Sequence, residues 1–208
     1  MVMDKRICYI AGAGPCGRLD FIPGPADFVI AADGGLAHLI RNGLAADLVV
    51  GDFDSLGSVP EHPCVLTLQS EKDETDTAAA LREGIGRGYR VFHLYGCAGG
   101  RLDHTLANIQ LLAELSRQGM RGYLFDEKTV ITAITDASIH FNAGASGTIS
   151  VFSHSDKSTG VSETGLKYPL DRAELTNTCP VGVSNEFIGA ESCVSVEGGT
   201  LIVMYNDV

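Results

Sequence analysis

Apolar residues in the first 126 positions fall into short, nearly unbroken runs at 6–11, 28–32, 47–50, 64–68, 91–95 and 122–125. Runs of this length, bounded by Gly or Asp, predict buried strands of a parallel sheet. Helical spacing lies between them. Residues 35–42 form a short segment closed by Gly43. Residues 76–87 carry Ala78, Ala79, Leu81 and Ile85, with Thr75 or Asp73 available as the N-cap. Residues 103–118 place Leu106, Ile109, Leu112 and Leu115 at three-residue steps and stop at Gly119. Strand–helix–strand repetition predicts an α/β domain with a mainly parallel sheet.

The pattern changes after Asp126-Glu127-Lys128. Runs rich in Thr, Ser, Val and Ile follow at 129–134, 138–141, 147–153, 181–183, 191–196 and 200–205, and helical periodicity is nearly lost. Glu197-Gly198-Gly199 reads as a hairpin turn. The expected architecture is therefore an α/β domain over 1–126 followed by a smaller all-β sandwich over 127–208. So small a module buries little surface alone, which predicts that it leans on the first domain, on a second copy of itself, or on both.

Composition narrows the class. The chain has 208 residues, 45% hydrophobic and 20% charged, enough apolar material for a real core. A net charge of −11 argues against a nucleic-acid partner, which needs a surplus of Lys and Arg. It leaves a nucleotide substrate open, because a metal ion can sit between carboxylates and phosphates. No run approaches the roughly 18 apolar residues of a membrane span, and the N-terminus lacks the h-region of a signal peptide. The six cysteines form no CxxC pair, which predicts reduced thiols and a cytoplasmic protein.

The candidate chemistry lies in the acidic turns. Residues 28–32 run into Asp33-Gly34-Gly35, and 47–50 into Gly51-Asp52-Phe53-Asp54-Ser55. The next two strands lead to Glu71-Lys72-Asp73-Glu74-Thr75-Asp76 and to Gly96-Cys97-Ala98-Gly99-Gly100-Arg101-Leu102-Asp103-His104. In an open parallel sheet these ends share one edge, where ligands bind. Converging carboxylates repel unless a cation lies among them, and all-oxygen ligation points to Mg²⁺ rather than zinc. Asp52 and Asp54, two apart, would face one side of a continuing strand, and Asp76 at a helix start supplies a third ligand. Glycines 34, 35, 99 and 100 allow backbone N–H groups to approach a phosphate or a base.

Each turn taken singly could be only a cap or a bend; their co-occurrence is the signal. Gly12-Ala13-Gly14 lacks a full GxGxxG and carries no dinucleotide signal. Neither a Gly-x-Ser-x-Gly elbow nor a P-loop is present, which removes the main support for serine hydrolases and P-loop kinases.

These four motifs resemble, in order and spacing, those of the thiamine pyrophosphokinase family. Gly165-Leu166-Lys167-Tyr168-Pro169-Leu170 and Val183-Ser184-Asn185-Glu186-Phe187 are similar to the C-terminal signatures of its bacterial form. The resemblance implies a homodimer that transfers the pyrophosphoryl unit of ATP to the hydroxyl of thiamine, releasing AMP, with Mg²⁺. It implies Asp52, Asp54 and Asp76 for metal and pyrophosphate placement, with Asp33 nearby. Lys72 and Arg101 would meet the phosphates, Thr75 would donate to one, and Asp103 would orient Arg101 or the nucleotide. Gly34, Gly35, Gly99 and Gly100 would line the nucleotide site. Ser184 and Asn185 would belong to the thiamine pocket, reaching the partner subunit's site, with Phe187 or Tyr168 as the aromatic neighbour. No general base is assigned. Cys97-Ala98 departs from the Ala-Thr commoner in relatives. A pyrophosphokinase acting on a pterin alcohol and a nucleotide sensor without turnover are the competing readings.

Overall fold

The structure, a computed structural model, describes residues 6–17, 19–54, 58–69 and 74–206. The chain divides into two compact units, Met1–Leu111 with Leu124–Glu127, and Leu112–Tyr123 with Lys128–Val208.

In the first unit, strands β1 (Ile7–Ala11), β2 (Phe28–Ala32), β3 (Leu48–Gly51), β4 (Val65–Thr67) and β5 (Val91–Tyr95) all pair parallel. Their order is β5-β1-β2-β3-β4, with Ile10 of β1 level with Ile30 on one side and Leu94 on the other. Every residue of β1 after Ile7 is buried, as expected of a strand covered on both faces. One face stacks Tyr9 on Phe21, their ring centroids 4.2 Å apart. Helices α1 (Gly35–Arg41), α2 (Asp76–Gly86) and α3 (Leu102–Arg117) follow β2, β4 and β5. The sheet grows outward from β1 to β4, then returns through α2 to β5 on the other side of β1. The reversal between β1 and β5 is a topological switch point, where an open α/β sheet leaves a crevice beyond its strand ends.

The division between units cuts α3 and β6 (Arg121–Asp126). The second unit holds β7 (Thr129–Thr135), β8 (Ser138–Phe141), β9 (Thr148–Ser153), β10 (Lys157–Thr164), β11 (Leu170–Thr176), β12 (Gly182–Glu186), β13 (Ser192–Ser195) and β14 (Thr200–Asn206). They pair antiparallel as β7-β14-β9-β12 and β11-β10-β13-β8. Inward residues of both sheets, among them Ile149, Val151, Leu201, Val161 and Val194, form one apolar cluster. That is a sandwich.

Two of these strands leave no apolar run. β10 buries only Ser158, Val161 and Glu163, and the edge strand β11 buries only Leu175. The 197–199 turn is also not a hairpin. It carries the chain from β13 in one sheet to β14 in the other, because each strand finds its partners in its own sheet. Among the described residues no helix is long and apolar enough to cross a membrane.

Candidate active site

A cavity of about 380 Å³ opens at the switch point. Its walls are residues 12–15 after β1, Ala32 at the end of β2 and Asp33 after it, 75–77 at the start of α2, 96–101 after β5, and His104 and Asn108 of α3. Two glycines fix how closely β1 and β5 end. The Gly12 amide donates to Tyr95 O at 2.7 Å and that of Gly14 to Gly96 O at 2.8 Å. A Cβ on Gly12 would lie 2.6 Å from the Gly96 carbonyl oxygen, and one on Gly96 2.6 Å from that of Gly12. Gly96 also has φ +61°, a conformation side chains disfavour. Asn108, buried on α3, donates from Nδ2 to Cys97 O at 2.6 Å and so ties this loop to the helix. Burial pushes the Cys97 thiol up to about 12, which keeps it protonated and unfit as a nucleophile.

Four of the six residues expected to contact the nucleotide lie on this wall: Asp33, Thr75, Gly99 and Gly100. Gly34 and Gly35 do not. Gly34 is the N-cap of α1, and a Cβ on Gly35 would overlap the Ala11 carbonyl, so that glycine lets α1 start against β1. Thr75 is the N-cap of α2, its Oγ1 accepting from the Ala78 amide at 3.2 Å. That bond occupies a lone pair and leaves the hydroxyl proton to donate. Asp76 follows in the first turn and lines the cavity. The α2 N-terminus therefore presents its positive dipole end there.

Asp52 and Asp54 are placed differently from a continuing strand. β3 ends at Gly51, and buried Phe53 has φ +58°, so the chain turns and strand alternation stops. The Asp54 amide donates to Asp52 Oδ1 at 3.3 Å within that turn. Neither aspartate is on the cavity wall. Among the described residues no three His, Cys, Asp or Glu side chains stand close enough to hold a metal ion. Lys72 lies outside the described residues.

Arg101 lines the cavity, and its guanidinium grips Asp103 through Nε at 3.2 Å and Nη2 at 2.6 Å. The Arg101 hydrogen bonds pull the Asp103 carboxyl down to about 2. Asp103 is not itself on the wall; it also accepts from the His104 amide at 3.0 Å.

In the sandwich, Ser184 is exposed with φ +60°, and its amide donates to Ser150 Oγ at 3.0 Å. Asn185 is buried and fully engaged. Its Nδ2 donates to Glu163 Oε2 and to Tyr168 O, each at 2.8 Å, while Oδ1 accepts from the amides of Tyr168 at 3.0 Å and Glu186 at 2.9 Å. An amide has two donors and two acceptor lone pairs, so none remains for a ligand. Of the two aromatic candidates, Phe187 packs edge-on to Phe141 against the core, whereas Tyr168 is 59% exposed.

The sequence pattern gave residues 12–15 and Asn108 no place in the site and left His104, part of the fourth motif, without a role. The Gly-x-Gly after β1 was the one visible signal for 12–15; its partner, Gly96, is brought alongside only by strand order.

Two family models match the chain: the thiamin pyrophosphokinase catalytic domain over residues 24–124, and the thiamin pyrophosphokinase vitamin B1 binding domain over 136–201. The thiamine pyrophosphokinase of Bacillus subtilis (strain 168) is 29% identical over 210 residues, which is 96% of this chain and 98% of that protein. Its crystal structure superposes with a TM-score of 0.81 at 28% identity, covering 97% of this chain and 99% of that one. The Geobacillus thermodenitrificans thiamin pyrophosphokinase gives 0.83 at 26% identity, covering 97% and 98%. The yeast enzyme, at 15% identity, shares the fold with a TM-score of 0.71 over 99% of this chain and 87% of that one. With a glycine-walled crevice at the switch point and matches to both family domains, the chain belongs to the thiamine pyrophosphokinases, a family of enzymes.

Proposed function

We propose that this chain transfers the β,γ-pyrophosphoryl group of ATP to the hydroxyl of thiamine, giving thiamine diphosphate and AMP. The observation that carries this reading is the switch-point cavity. Glycine-rich loops, a capped helix N-terminus and Arg101 meet there around a space suited to a nucleotide. In the reaction the thiamine hydroxyl oxygen bonds to the β-phosphorus. The bond from that phosphorus to the α,β-bridging oxygen breaks, AMP leaves with the oxygen, and the hydroxyl proton is released.

Positioning and charge compensation dominate such a transfer. Thr75 and the α2 amides would hold phosphate oxygens, Gly99 and Gly100 would let the nucleotide approach the backbone, and Asp33 would help to place it. Arg101, held by Asp103, would face the charge that develops on the transferring group, together with Lys72. The oxygen donors of Asp52, Asp54 and Asp76 fit Mg²⁺ in chemistry. This ion commonly takes one or two carboxylates and completes its shell with water and phosphate, so a ready-made three-carboxylate cage is not required. When bound it would neutralise phosphate charge.

Thiamine would be met by Ser184 and the exposed ring of Tyr168, with Asn185 holding that segment, and the site would be shared across a homodimer. Six free cysteines agree with a cytoplasmic setting. The test is incubation of the purified protein with ATP, Mg²⁺ and thiamine, followed by detection of AMP and thiamine diphosphate. AMP formed with a pterin alcohol but not with thiamine overturns the assignment.

A further inference from the structure

Glu163 is a carboxyl group placed where an aliphatic side chain would fit. It is 1% exposed, on the inner face of β10. Its cross-strand partner Val194 and its strand neighbour Val161 both belong to the apolar core. Oε2 accepts from Asn185, but Oε1 has no hydrogen-bond partner among the described residues. Burial pushes this carboxyl above its ordinary range, and the Asn185 amide opposes the shift. An oxygen buried in this way costs stability. What it provides is the fourth hydrogen bond of Asn185.

That bond matters because of what Asn185 holds. Its amide clasps the backbone of Tyr168 at both N and O, so the connection from β10 to β11 is tied to β12. The residue before it, Ser184, has a left-handed φ of +60° where the pairing of β12 with β9 shifts register, a strained conformation that its anchored neighbour Asn185 helps to hold. We propose that Glu163 is a positioning residue for the thiamine end of the site, clamping Asn185 and through it setting Tyr168 and Ser184. This rests on the reading that Ser184 and Tyr168 meet thiamine.

The test compares steady-state kinetics of the wild type, Glu163→Met, Glu163→Gln, Asn185→Ala and the double variant E163M/N185A. Methionine is of similar length and removes both the buried charge and the acceptor. Glu163→Met raises the KM for thiamine about 5-fold or more, with the KM for ATP and kcat within about 2-fold. Glu163→Gln keeps an oxygen for Asn185 and stays within about 2-fold of wild type. The double variant is no worse than N185A alone, since Glu163 acts through that side chain. Should E163M not fold, Glu163→Thr, polar but too short to reach Asn185, carries the same expectation. An unchanged thiamine KM, a parallel rise in the KM for ATP, a glutamine variant as poor as methionine, or additive effects in the double variant each overturn the proposal. A wild type that makes no thiamine diphosphate sinks the functional reading and this inference with it. A competent wild type with an unaltered E163M sinks the inference alone.

Discussion

Arg101 and Asp103 are joined by two hydrogen bonds, 2.6 and 3.2 Å long, beside the cavity that Arg101 lines. Both side chains are largely exposed, so the pair contributes little to stability. Its effect is on direction: the fork fixes where the guanidinium points before any ligand arrives. Arg101→Ala is expected to lower kcat roughly 100-fold or more, and Asp103→Asn roughly 10-fold, as the charge stays but its aim loosens. Thermal melts should show both variants folded as well as wild type. Because the folded carboxyl of Asp103 lies near 2, below its ordinary 3.8, the pair persists above pH 4 and is lost only as pH falls through that window. A D103N variant as active as wild type would remove the orienting role.

Asp54 and Asp76 provide a second test. Asp54 stands exposed in the turn after β3, and Asp76 sits half-buried in the first turn of α2. Replacing Asp76 with Ala should cost at most about 1 kcal/mol of stability, the value of a carboxylate near a helix start, and replacing the exposed Asp54 about 0.5 kcal/mol or less. Transfer should fall roughly 100-fold or more if they place metal and pyrophosphate. Kinetics across a Mg²⁺ titration, with circular dichroism to confirm folding, check this. Normal turnover in both variants would end the metal-site assignment.

The close ends of β1 and β5 make a third. Gly96→Ala adds a Cβ that meets a backbone carbonyl in a left-handed conformation, which should cost roughly 2–4 kcal/mol. Asn108→Ala instead leaves the buried Cys97 carbonyl unpaired, costing roughly 1–2 kcal/mol. Its enzyme should remain folded but show a raised KM for ATP and an unchanged KM for thiamine. Denaturant melts and the two KM values separate these effects.

Most of the first unit was legible because a strand buried on both faces must be apolar throughout, as β1 and β2 are, and in β5 only His93 interrupts the run. The acidic and glycine turns were legible for a related reason: nothing in a core explains Asp33, Asp76 or Gly99-Gly100 where they stand. Other features depend on facts absent from a linear reading. Gly12 and Gly96 become neighbours only once strand order places β5 beside β1. Gly51 and the acidic run signal that β3 ends there, but nothing in the sequence signals the left-handed φ of Phe53, so the two-residue spacing of Asp52 and Asp54 suggested a shared face. β10 escaped notice because, of its three buried residues, Ser158 and Glu163 are polar and only Val161 is apolar, which leaves no alternation to read.

Acid stability gives the last prediction. His93 on β5 lies among rings, 5.5 Å from Tyr9 and 5.1 Å from Phe125, centroid to centroid. Burial pushes its imidazole down to about 4 from the usual 6.5, while Asp27 pulls weakly the other way. Between those two values the unfolded chain binds a proton that the folded one refuses. Unfolding free energy therefore falls as pH drops from 6.5 toward 4, by up to about 3 kcal/mol from this group. His93→Phe, which keeps a ring among rings, should flatten that slope in urea melts run from pH 7 to 4. Glu163 acts with the opposite sign. Its carboxyl is raised, so the stability it contributes is present below the ordinary 4.5 and lost as pH rises through the folded value. Glu163→Gln should thus stabilise the protein near neutrality and leave the His93 slope in place. A His93→Phe protein that still loses stability as steeply between pH 6.5 and 4 would show that the acid transition belongs to another group.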